Sequence, residues 1–260
     1  MGVLDRFSLD GKLALVTGGA GPQFGSSVSE ALVEAGARLI TASRSRERNE
    51  EYADGMRRQG HEVHAMQVDI GDPESIAALQ AAVTEQFGHL DILVNSSVVS
   101  GGGGFPEQSV ENWQNSAQSN MVGLFAMCQG FMPGMVEAGR GSIINISSIY
   151  GVVGNDPTLY EGTDMKQPPD YNFVKAGMIN FTRYLANYYG KKGVRANCIC
   201  PGGYLAGQPE PFIEAYTRRC PVGRMLENED IKGAVVYLAS DASEYVTGHA
   251  LMVDGGWTTL

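Results

Sequence analysis

The sequence predicts a single-domain α/β fold, a doubly wound parallel sheet of about seven strands with helices on both faces. Three observations predict it. Short apolar runs alternate with amphipathic stretches along the whole chain. A glycine-rich turn directly follows the first apolar run. No Ser/Pro-rich linker, internal repeat, low-complexity tract or charge block divides the 260 residues, a length able to bury one large core.

The first strand is read at Lys12–Val16, and Thr17-Gly18-Gly19-Ala20-Gly21-Pro22-Gln23-Phe24-Gly25 follows it. A helical stretch then runs from about Ser26 to Glu34. Strand, glycine turn and helix N-terminus together make a dinucleotide cradle of Rossmann type. Glycine lets the backbone approach a pyrophosphate, and the first helical turn offers free N–H groups. Further strands are read at Arg38–Ala42, Glu62–Val68, Leu90–Asn95 and Ser142–Ser147, with helices over Pro73–Phe87 and from about Ser119 to Glu137. A sixth strand ends at Pro201-Gly202 and a last one lies before Val253-Asp254-Gly255-Gly256. Residues from about 12 to 148 would form the dinucleotide-binding half, and 149–260 the catalytic and substrate-loop half.

Tyr171 and Lys175 stand four residues apart in a helical stretch, so their side chains share one face. A free tyrosine titrates near 10; bringing it to neutrality takes about 4 kcal/mol of preference for the phenolate, which a nearby ammonium in a dry site can supply. The net charge of −10 argues against a general nucleic-acid or membrane-surface binder. No apolar signal run opens the chain, and no stretch is read as reaching membrane-spanning length. Four cysteines in a chain of this length make no disulfide framework, and the four histidines form no ligand pattern with them. No metal is expected, and a cytoplasmic location fits.

Taken together, these motifs resemble, in order and over essentially the whole chain, the short-chain dehydrogenase/reductase family. They are Thr17-Gly18, Asp69 after the third strand, Asn95 after the fourth, Asn120 in a helix, Ser148, the Tyr171/Lys175 pair, Pro201-Gly202 and Val253-Asp254-Gly255-Gly256. The resemblance implies an NAD(P)-dependent enzyme interconverting a secondary alcohol and a ketone. In it Ser148 would bind the substrate oxygen and Tyr171 would move the proton. Lys175 would bind the nicotinamide ribose and lower the tyrosine pKa, while Asn120 would hold a water linking Lys175 to solvent. It also implies cofactor contacts from Gly18, Gly19, Gly21, Phe24, Gly25, Asp69, Ile70, Asn95, Pro201 and Gly202, and a homo-oligomer, tetramer or dimer, paired through the C-terminal region.

The second strand ends Thr41-Ala42-Ser43-Arg44-Ser45-Arg46 without an acid for a ribose diol. Ser43 and Arg44 suit a 2′-phosphate, so NADP(H) is favoured over NAD(H), unless the arginines only cap a solvated helix. Two departures from the family pattern stand out. The glycine turn is one residue longer, with Pro22 and Phe24 in glycine places, and the segment after the fourth strand reads Asn95-Ser96-Ser97-Val98.

Ser148 and Tyr171 lie further apart than is usual in the family, and the added segment is roughly Asn155 to Pro169. It would emerge at the active-site rim, where its polar side chains suit a sugar-like or polyol substrate. Tyr160, Glu161, Tyr204 and Gln208 are the candidate substrate contacts. The insertion and the Tyr204 loop resemble short-chain enzymes of bacterial sugar and surface-glycan pathways. Two alternatives stay open: a 3-oxoacyl-thioester reductase, whose acidic carrier would dock on Arg218, Arg219 and Arg224, and a catalytically idle nucleotide-binding protein.

Overall fold

Continuous apolar runs such as Leu13-Ala14-Leu15-Val16 can be stable strands only where both sheet faces are covered, and the computed structural model, which describes residues 2–259, meets that demand. Its strands are β1 (Leu13–Thr17), β2 (Arg38–Ser43), β3 (Val63–Gln67), β4 (Ile92–Asn95), β5 (Gly141–Ile146), β6 (Val194–Pro201) and β7 (Ala250–Val253). All pair in parallel, in the order β3-β2-β1-β4-β5-β6-β7. This is the Rossmann-type sheet the sequence predicts.

Eight α-helices cover it: α1 (Phe24–Glu34), α2 (Arg46–Arg58), α3 (Pro73–Phe87), α4 (Val110–Ala117), α5 (Gly123–Ala138), α6 (Pro169–Tyr189), α7 (Glu210–Arg219) and α8 (Asn228–Ala239). On one face Ile76 and Leu79 of α3, Met127 and Phe131 of α5, and Met178 of α6 pack over Leu15, Leu93 and Ile143. On the other, Leu32 of α1, Met56 of α2 and Val235 of α8 pack over Val16, Val94 and Ile144. Local chemistry sets the starts. Ser45 accepts from Arg48 N–H at 3.2 Å to cap α2, and Asp72 accepts from Glu74 N–H at 2.9 Å before Pro73 opens α3.

Helices α4 and α5 join through a π-helical turn, Gln118–Val122. The joined run Val110–Ala138 is long and apolar enough, by length and composition, to cross a membrane, which the sequence reading did not anticipate. Met127, Cys128, Phe131 and Met135 are buried in the core, as in a helix covering a sheet. The strand order reverses between β1 and β4, so the chain leaves a crevice at the carboxyl ends of β1, β2 and β4.

A third, smaller apolar cluster lies beyond the sheet. Ile149, Leu159, Phe212, Tyr216, Met225 and Trp257 are its buried members, drawn from the inserted segment, α7 and the chain's last turn. The four cysteines are free and buried, and burial pushes the Cys128 and Cys198 thiols up to about 12. Among the described residues no group of three His, Cys, Asp or Glu side chains gathers to hold a metal ion.

Candidate active site

The crevice is a cavity of about 560 Å³ lined by the glycine turn, the Ser43–Ser45 segment with Arg48, Val68, Ile70 and the Ser96–Val99 strand exit. Its tightest point is Gly25. A methyl group there would lie 2.1 Å from the Gly18 carbonyl oxygen, a backbone atom that cannot swing aside. Gly18 itself has φ +71 and donates to the Ala42 carbonyl at 2.7 Å, joining the turn to β2. The extra residue of the lengthened turn is absorbed by Gln23. It has φ 66 and ψ −128, the only positive φ outside glycine among the described residues, and α1 starts directly after it. Holding a non-glycine residue in that conformation costs about 1–3 kcal/mol.

Thr17 braces this region, though not by gripping the glycine turn: its hydroxyl accepts from Ser96 and Ser97 N–H at 3.0 and 3.2 Å, tying β1 to the β4 exit. Phe24 lines the crevice and meets the Tyr204 ring edge-on at 5.4 Å between centroids.

Several residues expected at the cofactor are engaged by other groups of the protein. Gly19 faces the interior, where an added methyl would meet Ser29 Oγ at 2.6 Å and Thr41 Oγ1 at 2.9 Å, so its smallness serves packing. Asp69 is not among the residues lining the crevice; its Oδ1 accepts from Gly71 N–H at 2.9 Å and shapes the turn before α3. Asn95 is buried in the core, where its amide donates to Asn145 Oδ1 at 2.8 Å; Asn145 in turn donates to Thr182 Oγ1 at 2.8 Å. Breaking such a buried amide pair leaves an unpaired dipole, at about 1–3 kcal/mol. Pro201 and Gly202 stand apart from this crevice. Gly202 donates to Val253 O at 3.0 Å and lines a second cavity between β7 and Arg224. The reading missed Arg48, although Arg44 and Arg48 at a spacing of four were the available signal.

On the chemical side, β5 ends at Ile146 and alternation sends the next two serines opposite ways. Ser147 donates to the Lys175 carbonyl at 2.9 Å and fixes α6 against the strand. Ser148 turns the other way, accepts from Tyr150 N–H at 3.1 Å and hydrogen-bonds the Tyr171 hydroxyl. Lys175 is buried, donates to the Ile146 carbonyl at 2.7 Å and holds its Nζ 5.4 Å from the Tyr171 ring centroid. Burial brings the Lys175 pKa down to about 8. Burial also raises that of Tyr171, offset in part by the Ser148 hydroxyl. The expectation that Lys175 draws the tyrosine pKa down is therefore not met in this state. The ammonium is aimed at a strand carbonyl, and Ser148 is the group that opposes the rise.

Asn120 sits in the π turn, a feature often found at functional positions. Its amide donates to Val99 O at 2.5 Å and Ser116 Oγ at 3.0 Å and accepts from Val99 N–H at 2.9 Å, clamping the crevice wall to the α4–α5 junction.

The inserted segment reaches the site. Tyr160 shares a hydrogen bond with Tyr150 at 3.1 Å and packs on Phe212 at 5.4 Å between centroids. Asp156 pairs with Arg219, whose guanidinium lies 4.2 Å from the Trp257 ring centroid. A mouth-like cavity of about 560 Å³ opens between Gly104, Asn155, Tyr160, Lys166, Pro169 and Asn172. Glu161 is exposed and outside this lining. Two expected substrate contacts are otherwise engaged. The Tyr204 hydroxyl donates to Asn228 Oδ1 at 2.5 Å, and Gln208 braces its own loop by donating to Tyr204 O at 2.6 Å and accepting from Ala206 N–H at 2.8 Å. That loop is pinned: Leu205 donates to Leu226 O and Leu226 to Gly203 O, each at 2.9 Å.

Residues 19–258 match the family described as enoyl-(acyl carrier protein) reductase. D-threitol dehydrogenase of Mycolicibacterium smegmatis is 35% identical over 259 residues, which cover 97% of this chain and 95% of that protein. A 3-oxoacyl-[acyl-carrier-protein] reductase of Vibrio cholerae is 31% identical over 253 residues, 96% of this chain and 98% of its own. A solved gluconate 5-dehydrogenase from Burkholderia cenocepacia, in complex with NADP and tartrate, superimposes with a TM-score of 0.89 at 27% identity over 100% of both chains. The chain belongs to the short-chain dehydrogenase/reductase family, oxidoreductases that act on CH–OH groups.

Proposed function

We propose that this protein interconverts a secondary alcohol and a ketone on a small polar substrate, a polyol or sugar derivative, with NADP(H) preferred over NAD(H). One observation carries the substrate class. The inserted segment brings Asn155, Tyr160, Lys166 and Gln167, set among Pro157, Met165, Pro168 and Pro169, to the mouth beside Asn172, the residue after Tyr171. The kinship with a D-threitol dehydrogenase supports it.

The acyl-carrier alternative has little unpaired basic surface to dock on. Arg219 is paired with Asp156, and Arg224 with Asp230 at 2.6 Å, which leaves Arg218 alone of the three without an acidic partner among the described residues.

The crevice suits a dinucleotide: backbone approaches closely at Gly18 and Gly25, and an α-helix begins at its edge. Arg44 and Arg48 line its rim beside Ser43, and neither has an ion-pair partner among the described residues. Two uncommitted guanidinium groups suit a phosphate ester better than a diol. The bound nicotinamide would supply or accept the hydride. Ser148 then orients the substrate oxygen, and Tyr171 gives that oxygen its proton in reduction or removes it in oxidation. Burial brings Lys175 down to about 8, so it titrates closer to neutrality than a solvated lysine. Asn120 keeps the crevice wall in register with these groups, and its π turn offers backbone carbonyls for a relay water.

We assign residues from about 12 to 148 to the cofactor and 149–260 to the substrate, and we place the protein in the cytoplasm. We also propose a homo-oligomer, dimer or tetramer. Its support is an apolar stripe other than the C-terminal one read from the sequence: exposed Met121 and Phe125 of the π turn and α5 flank a groove shared with exposed Tyr184 of α6.

The test is nicotinamide absorbance for wild type and Tyr171→Phe against polyols, polar ketones and 3-oxoacyl thioesters. Polyol turnover that falls about 10²–10⁴-fold in the variant supports the reading. Turnover confined to thioesters, or none with any substrate, sinks it.

A further inference from the structure

Asn155 carries a buried carbonyl-type oxygen, Oδ1, with no hydrogen-bond donor. Its amide nitrogen is committed, donating to the Tyr160 hydroxyl at 3.4 Å, and Tyr160 is held in turn by Tyr150 at 3.1 Å. In this orientation the amide oxygen is the unpaired atom, and Asn155 lines the mouth together with Tyr160 and Asn172. An acceptor kept out of water without a donor is unfavourable, and a ligand hydroxyl relieves it. A ketone oxygen or carboxylate brings no donor and leaves it unpaired. Tyr160 links this acceptor to the reacting centre, because it lines the same cavity and lies close enough to Tyr171 to oppose its ionisation.

Resting on the polyol reading above, we propose that Asn155 is a specificity-determining residue, accepting a hydrogen bond from a substrate hydroxyl on a carbon away from the one that is oxidised. The inserted segment thus discriminates hydroxylated chains from their deoxy counterparts. Sites that hydrogen-bond a substrate hydroxyl reject the analogue lacking it, whereas apolar walls separate the two poorly.

The experiment compares kcat/KM for D-threitol and for its terminally dideoxygenated analogue, in wild type, Asn155→Ala and Asn155→Asp. Wild type should favour threitol. Asn155→Ala should cut that preference about tenfold. Asn155→Asp, which keeps an acceptor oxygen, should hold it within about threefold. If Asn155→Ala melts early, Asn155→Leu fills the space without the acceptor and should show the same tenfold loss. An equal loss on both substrates, an aspartate variant that behaves like alanine, or a wild type indifferent between the two overturns the assignment while leaving the polyol reading intact. A wild type that turns over only acyl thioesters overturns both.

Discussion

The cofactor crevice and the substrate mouth are built by different means. The crevice consists of strand ends and the turns that leave them, held mostly by backbone contacts such as Gly18 N–H to Ala42 O and by the Thr17 hydroxyl. Its shape follows from the sheet itself. The mouth is lined by loop 101–108, insertion 155–169 and the start of α6, with α7 packed behind the insertion. They are joined by side chains, with Lys166 bound to Glu107 at 2.5 Å, Gln108 to Asp170 at 2.8 Å and Arg219 to Asp156. A backbone-built site tolerates little change in shape. A site built of side chains can be retuned one residue at a time.

The largest effect should come from closing the crevice. Gly25→Ala puts a methyl group against the Gly18 carbonyl, so NADPH affinity should fall about a hundredfold, with a stability loss of about 1–3 kcal/mol. Titration of nicotinamide fluorescence and a urea melt check it. Near-native affinity would mean that the turn yields and the contrast between the two regions is overstated.

A smaller and more selective effect is expected at the rim. Arg44 and Arg48 are exposed and line the crevice. Replacing both with alanine should weaken NADPH binding about ten- to a hundredfold, the loss of one or two charge-assisted contacts, and leave NADH within about twofold. Equal weakening of both cofactors would show that the arginines hold something other than the 2′-phosphate.

The smallest effect should lie on the substrate side. Arg219→Ala removes the partly exposed pair with Asp156 and the stacking over the buried Trp257 ring, so about 1–2 kcal/mol of stability should go. KM for the polyol should rise several-fold while NADPH affinity stays as it was. A change in cofactor affinity of the same size would break the separation.

This contrast also marks what was legible in the sequence. Lys12–Val16, Arg38–Ala42 and Pro73–Phe87 were read to within a residue or two because buried parallel strands and capped helices depend on near neighbours. Ser148 was picked out by the family resemblance, and strand alternation turns Ser147 to the other face. Asn95 and Asp69 were placed at the cofactor by the family resemblance, yet an amide finding Asn145 on β5 and an acid closing a turn with Gly71 are satisfied without a ligand. Tyr204's protein partners were not legible for a longer-range reason. Its partners, Phe24 and Asn228, lie far from it along the chain, and no local pattern discloses them. The insertion was recognised by its length, but which of its side chains line the mouth depended on where α7 holds it.

The Asp156–Arg219–Trp257 contact bears on how such an insertion can be moved between proteins. Its anchor is not in the inserted segment: the cation belongs to α7, and the ring beneath it to the last turn of the chain. Transplanting 155–169 alone into a shorter-looped relative would deliver a loop without its mooring. A graft carrying all three residues would bring the recognition surface across intact, so the exchangeable unit of specificity here is a discontinuous triad of segments.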